Sequence, residues 1–320
     1  MIGGALRRLG GRTCEARNRI YLNIGHTGLD RDGLTQWVRD TGVCPVYFVH
    51  DLIPLTHPEF CRGGEAERHA RRMRTVLSTA TGVIGNSQAT LDELAHFAEQ
   101  ENLASPRSVA AWLGTALIER SPPPVTERPT FVVLGTIEAR KNHLLLLRIW
   151  SRLVERLGNG TPRLLIIGQR GWEADEVFRI LDENRSLRGH VVELNHCSDE
   201  ETARHLASAR ALLFPSEAEG YGLPLVEALA LGTPVIGTDL KAFREIGQGI
   251  PLLLEPGNEA MWESAILDFS QPSSAARAEQ LHRLSRFRAP TWHDHFQIVE
   301  QWLAMVDSGR SDQGSIRSES

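Results

Sequence analysis

Two carboxylates and two cations carry the chemical signal of this 320-residue chain. Glu219 and Glu227 lie eight residues apart in Phe214-Pro-Ser-Glu-Ala-Glu-Gly-Tyr-Gly-Leu-Pro-Leu-Val-Glu-Ala-Leu-Ala-Leu-Gly-Thr-Pro-Val-Ile-Gly237. Glu227 falls in a segment, Leu223 to Leu231, that is apolar on nearly every face. Its helix should be largely buried, and its charge is costly unless a polar group meets it. Arg140 and Lys141 stand just before His143-Leu-Leu-Leu-Leu147. A helix macrodipole disfavours each cation at its N-terminus by about 0.3–1 kcal/mol, so this pair wants an anion between it and the backbone N–H groups. A diphosphate would supply one. Lys141 and Lys241 are the only lysines among 35 basic residues, which makes a lysine here look selected as a compact point charge.

The elements around these residues say where they sit. Pro224 in the first turn, then Gly232 and Pro234, bound a helix that follows a strand and a polar loop. In open α/β sheets ligands bind beyond the carboxyl ends of the strands, beside helix N-termini, so both glutamates are expected to face one ligand. The rest of the chain alternates in the same way. Strands are expected at Arg19–Gly25, Pro45–Asp51, Gly82–Gly85 and Ser108–Leu113, with helices at Gly33–Asp40, Glu65–Ala80 and Gln88–Ala98 between them. A second series runs from strand Thr130–Gly135 and helix His143–Leu157 to helices over Glu259–Phe269 and Ser273–Arg288, with a last helix over Trp292–Val306. Such alternation predicts parallel sheets with right-handed crossovers. Pro122, Pro123, Pro124 and Pro129 mark a boundary, giving a first domain over 19–121, a linker over 122–129 and a second domain over 130–288. Residues 1–18 and 307–320 are expected to be poorly ordered.

Composition narrows the functional class. The chain is 41% hydrophobic, enough for real cores, and a net charge of −5 argues against a general nucleic-acid binder. Cys14, Cys44, Cys61 and Cys197 have no Cys-x-x-Cys spacing, so neither a disulfide framework nor a zinc site is indicated. With no apolar run of signal-peptide or membrane-spanning length, the expected location is the cytoplasm.

Glu219-x7-Glu227, with Gly220, Gly222 and Pro224 between and Ala228-Leu-x-x-Gly232-x-Pro234-Val-Ile after, resembles the signature of retaining glycosyltransferases of family 4. That resemblance implies the GT-B fold, two Rossmann-like domains facing a cleft, a nucleoside diphosphate sugar (GDP- or UDP-linked) as donor, and no metal or other cofactor. It implies that Glu227 binds the ribose hydroxyls and that Glu219 lies against the donor sugar. Gly135-Thr-Ile-Glu-Ala-Arg-Lys-Asn142 is similar to the family's diphosphate loop. Many members carry a further arginine directly after the glycine, where this chain has Thr136. Gly220, Tyr221, Gly222 and Leu223 would complete the donor pocket, and Asn195, in the loop after Leu194, would lie near the nucleobase. His50, at the end of a buried strand, would face the donor across the cleft, with Asp51, Asn86 and Ser87 behind it. Ser87 is most simply a helix N-cap. The resemblance fails at the start: only about 120 residues precede the linker, where the family's first domain is about as large as the second, so an incomplete N-terminal domain with an exposed sheet edge is expected.

Three further features are weaker. Gly168-Gln-Arg-Gly-Trp172 could line a phosphate or base. Asp30-Arg-Asp32 has a metal-binding spacing but reads better as capping ahead of Leu34. Arg68, Arg71 and Arg72 share a helix face that is solvated by default and could otherwise meet an anionic membrane surface or a lipid pyrophosphate acceptor. The expected activity is hexosyl transfer, to a saccharide or lipid-linked saccharide. The alternatives are a sugar-nucleotide-binding module without turnover, or a two-carboxylate glycosidase, for which the cationic loop has no use.

Overall fold

The computed structural model describes residues 19–115 and 128–314, with side chains described as far as residue 306. The expected disordered start, residues 122–127 of the linker and residues 315–320 lie outside the described residues. Two wholly parallel sheets organise the rest. The first has four strands in the order β1-β2-β3-β4, namely Ile20–Asn23, Cys44–Val49, Gly82–Gly85 and Ser108–Ala110. The second has six, in the order β10-β9-β8-β5-β6-β7. Its strands are β5 Thr130–Leu134, β6 Arg163–Ile167, β7 Val191–Leu194, β8 Leu212–Phe214, β9 Val235–Thr238 and β10 Leu252–Leu254. Chain order reverses between β5 and β8, which places a crevice beyond their carboxyl ends.

The inner strands of each sheet are buried on both faces, as crossover helices require. In β2, Tyr47 and Val49 pack with Met73, Val76 and Leu91 on one side. Val46 and Phe48 pack on the other side against Val299, Trp302 and Val306 of the helix Trp292–Gly314. The chain therefore returns to its first sheet at the end. Gly82 makes room for this docking, since an added Cβ would run into the Trp302 ring. The helix was expected to stop at Val306, but its backbone continues to Gly314. Propagating an existing helix into polar sequence costs little per residue. In the second sheet, Trp150 and Leu146 of the helix His143–Leu157 cover Phe131 and Val133, while Leu225, Val226 and Leu229 of the helix Leu223–Leu231 cover Phe214 and Val132.

Two expectations about surface charge change. Gly33 caps the helix Leu34–Thr41 with no side-chain bond, so Asp30 is not its cap. Asp30 instead meets Arg68 at 3.1 Å and Arg72 at 3.6 Å, and Glu65 meets the same two arginines at 3.4 and 3.1 Å. Arg72 is largely buried by these contacts, while Arg68 is exposed but paired, which leaves Arg71 as the exposed member of the expected cationic face outside this cluster.

A polar seam joins the two halves. Ser87, the N-cap of the helix Gln88–Gln100, accepts from Thr90 N at 3.0 Å and donates to Gly220 O at 2.7 Å. Tyr221 donates its hydroxyl to Leu113 O at 2.9 Å. Glu245, from the helix Lys241–Ile246, accepts from Gln88 N at 2.8 Å, Ala89 N at 3.0 Å and Trp112 Nε1 at 2.7 Å. One carboxylate from the second half thus caps a helix of the first, where the macrodipole favours negative charge. Glu245→Ala should leave those donors without partners and lower stability by roughly 1–3 kcal/mol, read by thermal unfolding. Glu245→Gln, which keeps an acceptor oxygen, should fall between it and the parent.

Candidate functional site

The loops that leave β5 and β8 meet at the crevice between them. After β5 the chain turns through Gly135, whose φ of 133° is open to glycine, into the short turn Ala139–Lys141. Asn142 then caps the helix His143–Leu157, its side chain accepting from Leu145 N at 3.3 Å. After β8 the chain runs through Ala218 and Glu219 to the helix Leu223–Leu231. The loops are bound by charge. Glu219 Oε1 lies 2.5 Å from Lys141 Nζ and 2.9 Å from Arg140 Nη1. Arg140 also donates to Ala218 O at 2.8 Å and meets Glu138 at 2.6 Å.

These charges are enclosed, with side-chain exposures of 10% for Glu219, 12% for Lys141 and 20% for Arg140. Burial works against the Arg140 charge, yet the Glu219 and Glu138 carboxylates outweigh it and raise the guanidinium pKa further. Lys141 Nζ also lies 5.1 Å from the centre of the Phe214 ring. Behind the loop, His143 is buried and its pKa falls to about 4, through desolvation and then the nearby Lys141. It is neutral at neutral pH and adds no third cation.

Facing this wall across a cleft of about 700 Å³ are Asp51, Ile53, Pro54, Phe60, Cys61, Arg62 and Glu65 of the first half. Gly135, Thr136, Glu138, Arg140, Lys141 and Trp172 line the second. The cleft therefore brings together Gly135, Thr136, Arg140 and Lys141 as expected from sequence, with Glu219 bound to its cations. Asp51, expected behind His50, lines the cleft itself, with its carboxylate accepting from Ile53 N at 3.2 Å.

His50 does the reverse. Its Nε2 lies 2.8 Å from Ile24 O and its ring packs 4.7 Å from that of Phe48, so the side chain serves the strand ends and not the cleft wall. Its carbonyl accepts from Asn86 Nδ2 at 2.8 Å and abuts Gly220, where any Cβ would collide with it. Asn86, Ser87, Gly220 and Tyr221 thus belong to the seam between the halves. Tyr221 is buried there and its hydroxyl pKa rises, through desolvation and then the Glu245 charge. Gly222 packs on Phe243 and Leu223 is exposed. Asn195 is also exposed, and with its amide nitrogen turned inward it donates to Gly168 O at 3.1 Å and Glu193 Oε1 at 2.9 Å.

Glu227 stands outside the cleft lining. It is half-buried on its apolar helix, and among the described residues no group donates a hydrogen bond to it. Desolvation, then the Asp199 charge, pushes its pKa up. A carboxylate held this way gains most from hydroxyl donors brought by a ligand. Among the described residues no cluster of three histidine, cysteine or acidic side chains is set to hold a metal ion, and no helix is long and apolar enough to cross a membrane.

Sequence reasoning missed Glu138, Arg62, Glu65, Glu245 and Glu93. Only Glu138 had a local signal, two residues before Arg140. Glu93 lies near Asp51 and Lys241, and its pKa is pushed up to about 7 by burial, then by the Asp51 charge. A carboxyl whose folded pKa exceeds its unfolded value penalises the fold as pH rises from the unfolded value through the folded one. Glu93→Gln should therefore stabilise the chain by roughly 1–2 kcal/mol at pH 8 and by nothing at pH 4, read as the difference between unfolding curves.

The family model described as Glycosyl transferases group 1 matches residues 116–284. The chain is 29% identical over 231 residues to the serotype-specific mannosyltransferase WbdA of Escherichia coli, covering 66% of this chain and 28% of that protein. It is 25% identical to the O-antigen chain mannosyltransferase B of Escherichia coli, covering 77% of this chain and 66% of the relative. Its fold matches that of Anabaena HepE, solved in complex with UDP, with a TM-score of 0.68 at 15% identity over 89% of this chain and 79% of that one. The chain thus spans less than a third of the length of the first of these relatives.

Proposed function

The chain belongs to the glycosyl transferases group 1 family, and from that membership we propose that it transfers a hexose, mannose in the first instance, from a nucleoside diphosphate sugar to a saccharide hydroxyl. The observation that carries this reading is the enclosed contact of Glu219 with Arg140 and Lys141 at the carboxyl ends of β5 and β8. Two cations at a helix entry suit a diphosphate, and Glu219 holds them together until one arrives. When the donor binds, its phosphates compete for Arg140 and Lys141, and Glu219 is released toward the sugar attached to them. The cations then stabilise the negative charge that grows on the leaving diphosphate as the glycosidic bond breaks. Glu227 offers its unpaired carboxylate to ribose hydroxyls. Asp51 and the segment Ile53–Phe60 form the opposite wall, where an acceptor can be oriented.

The relatives' names support mannose and polysaccharide synthesis, and the family resemblance implies retention at the transferred carbon and a GDP- or UDP-linked donor. The acceptor is a saccharide, free or lipid-linked. A two-carboxylate hydrolase fits less well, because Glu219 is already taken by two cations and Glu227 lies outside the cleft. One observation favours a second reading, donor binding without transfer. The first sheet has only four described strands, and Ile20, Leu22 and Ile24 at its edge are exposed.

Turnover separates the two. With GDP-mannose or a UDP-hexose and a mannose-terminated oligosaccharide, the chain should release nucleoside diphosphate in step with product. Lys141→Ala and Glu219→Ala should each cut that rate by about a hundredfold to a thousandfold with the fold intact. Parent-like rates in either variant would contradict the assignment.

A further inference from the structure

The charges on the second wall of the cleft already cancel in the free protein. Arg140 and Lys141 are matched by Glu138 and Glu219. On the first wall, Glu65 is held by Arg68 and Arg72, and Asp51 accepts from the Ile53 backbone. A diphosphate carries more than one negative charge, and on displacing Glu219 it exchanges existing ion pairs for new ones, so a cation with no such pair to give up would add to its binding. Arg62 is the exception. Among the described residues no carboxylate lies within ion-pair reach of it, yet it lines the same cleft as Arg140 and Lys141. Its guanidinium stands 5.6 Å from the centre of the Trp172 ring, which belongs to the opposite half and lines the cleft too. A guanidinium resting on an aromatic face is attracted to it and restrained, while its N–H donors stay free at the edge.

We propose that Arg62 is a donor-binding residue: it supplies, from the first half, the uncommitted positive charge that meets the diphosphate held by Arg140 and Lys141, and Trp172 positions it across the cleft. Thr136 offers only a hydroxyl beside Gly135, so this side of the loop provides no third cation of its own. Charge from Arg62 makes diphosphate binding depend on both halves at once. A nucleoside lacking phosphates makes no use of it.

This inference rests on the donor reading above, and the experiment distinguishes the two. GDP, UDP and the corresponding nucleosides are titrated by calorimetry into the parent chain and into Arg62→Ala, Arg62→Lys, Trp172→Ala and Trp172→Phe. Arg62→Ala should weaken the bound diphosphate about ten- to a hundredfold, the range for a charge-assisted hydrogen bond, and leave nucleoside binding unchanged. Arg62→Lys should recover part of the loss, Trp172→Ala should show a smaller loss, and Trp172→Phe should restore it. Both side chains are exposed, so unligated unfolding temperatures should match the parent. Parent-like diphosphate affinity in Arg62→Ala overturns the inference, as does an equal loss for nucleoside and diphosphate. In the transfer assay, a raised acceptor KM in Arg62→Ala with diphosphate affinity unchanged places Arg62 on an anionic acceptor and also overturns it. If the parent binds no nucleoside diphosphate, the donor reading itself fails and this one falls with it.

Discussion

The site depends on one carboxylate holding two cations together. Arg140 and Lys141 are consecutive in the chain and would repel each other in a poorly solvated pocket. Glu219, on the neighbouring loop, removes that repulsion and ties the β5 loop to the β8 loop. The fold makes this possible because β5 and β8 are adjacent in the sheet but separated in sequence by β6, β7 and their helices. Loops diverging from the point where strand order reverses leave a crevice, and charge fills it. An enclosed pair that a ligand can break is well suited to binding. Its Coulomb energy is recovered when a stronger anion takes the cations, so the protein does not have to expose them bare.

The seam between the halves lies beside this centre, and Gly220 follows Glu219 directly. Gly220 touches the His50 carbonyl and accepts from Ser87, while Tyr221 reaches Leu113 and Glu245 caps the helix Gln88–Gln100. The segment that presents Glu219 to its cations is thereby fixed against the first half. Arg62 and Trp172 approach each other across the cleft from opposite sides. The helix Trp292–Gly314 adds a second tether by burying Trp302 against the first sheet. Changes in the separation of the halves would be felt both at the cations and at the Arg62 contact.

Much of the framework was legible in the sequence. Apolar runs bounded by glycine and proline located the strands, and the all-apolar segment around Glu227 marked a buried helix beside the crevice. Arg140 and Lys141 were conspicuous because their charge opposes the helix dipole. Legibility ended where partners are distant in the chain. His50 and Asp51 are neighbours at the end of a strand buried on both faces, where periodicity of two carries no information about which side meets solvent. The sequence therefore could not say that Asp51 faces the cleft and His50 does not. Glu245 and Gln88 lie more than 150 residues apart, and nothing local predicts a cap supplied from another domain. Asp30 had the composition of a cap, but the arginines of the helix Glu65–Thr79 compete for it and win.

The most direct test of a crevice built for a diphosphate is a thermal-shift titration of the parent chain with GDP, UDP and ADP beside inorganic sulfate. Ligand binding to the native state alone raises its stability, by about 2.7 kcal/mol at a hundred times Kd. A rise in unfolding temperature with one nucleotide, absent with sulfate at equal ionic strength, is expected and would name the donor class. Equal curves with every ligand would mean that Glu219 does not yield its cations, and the site as described here would not be a donor site.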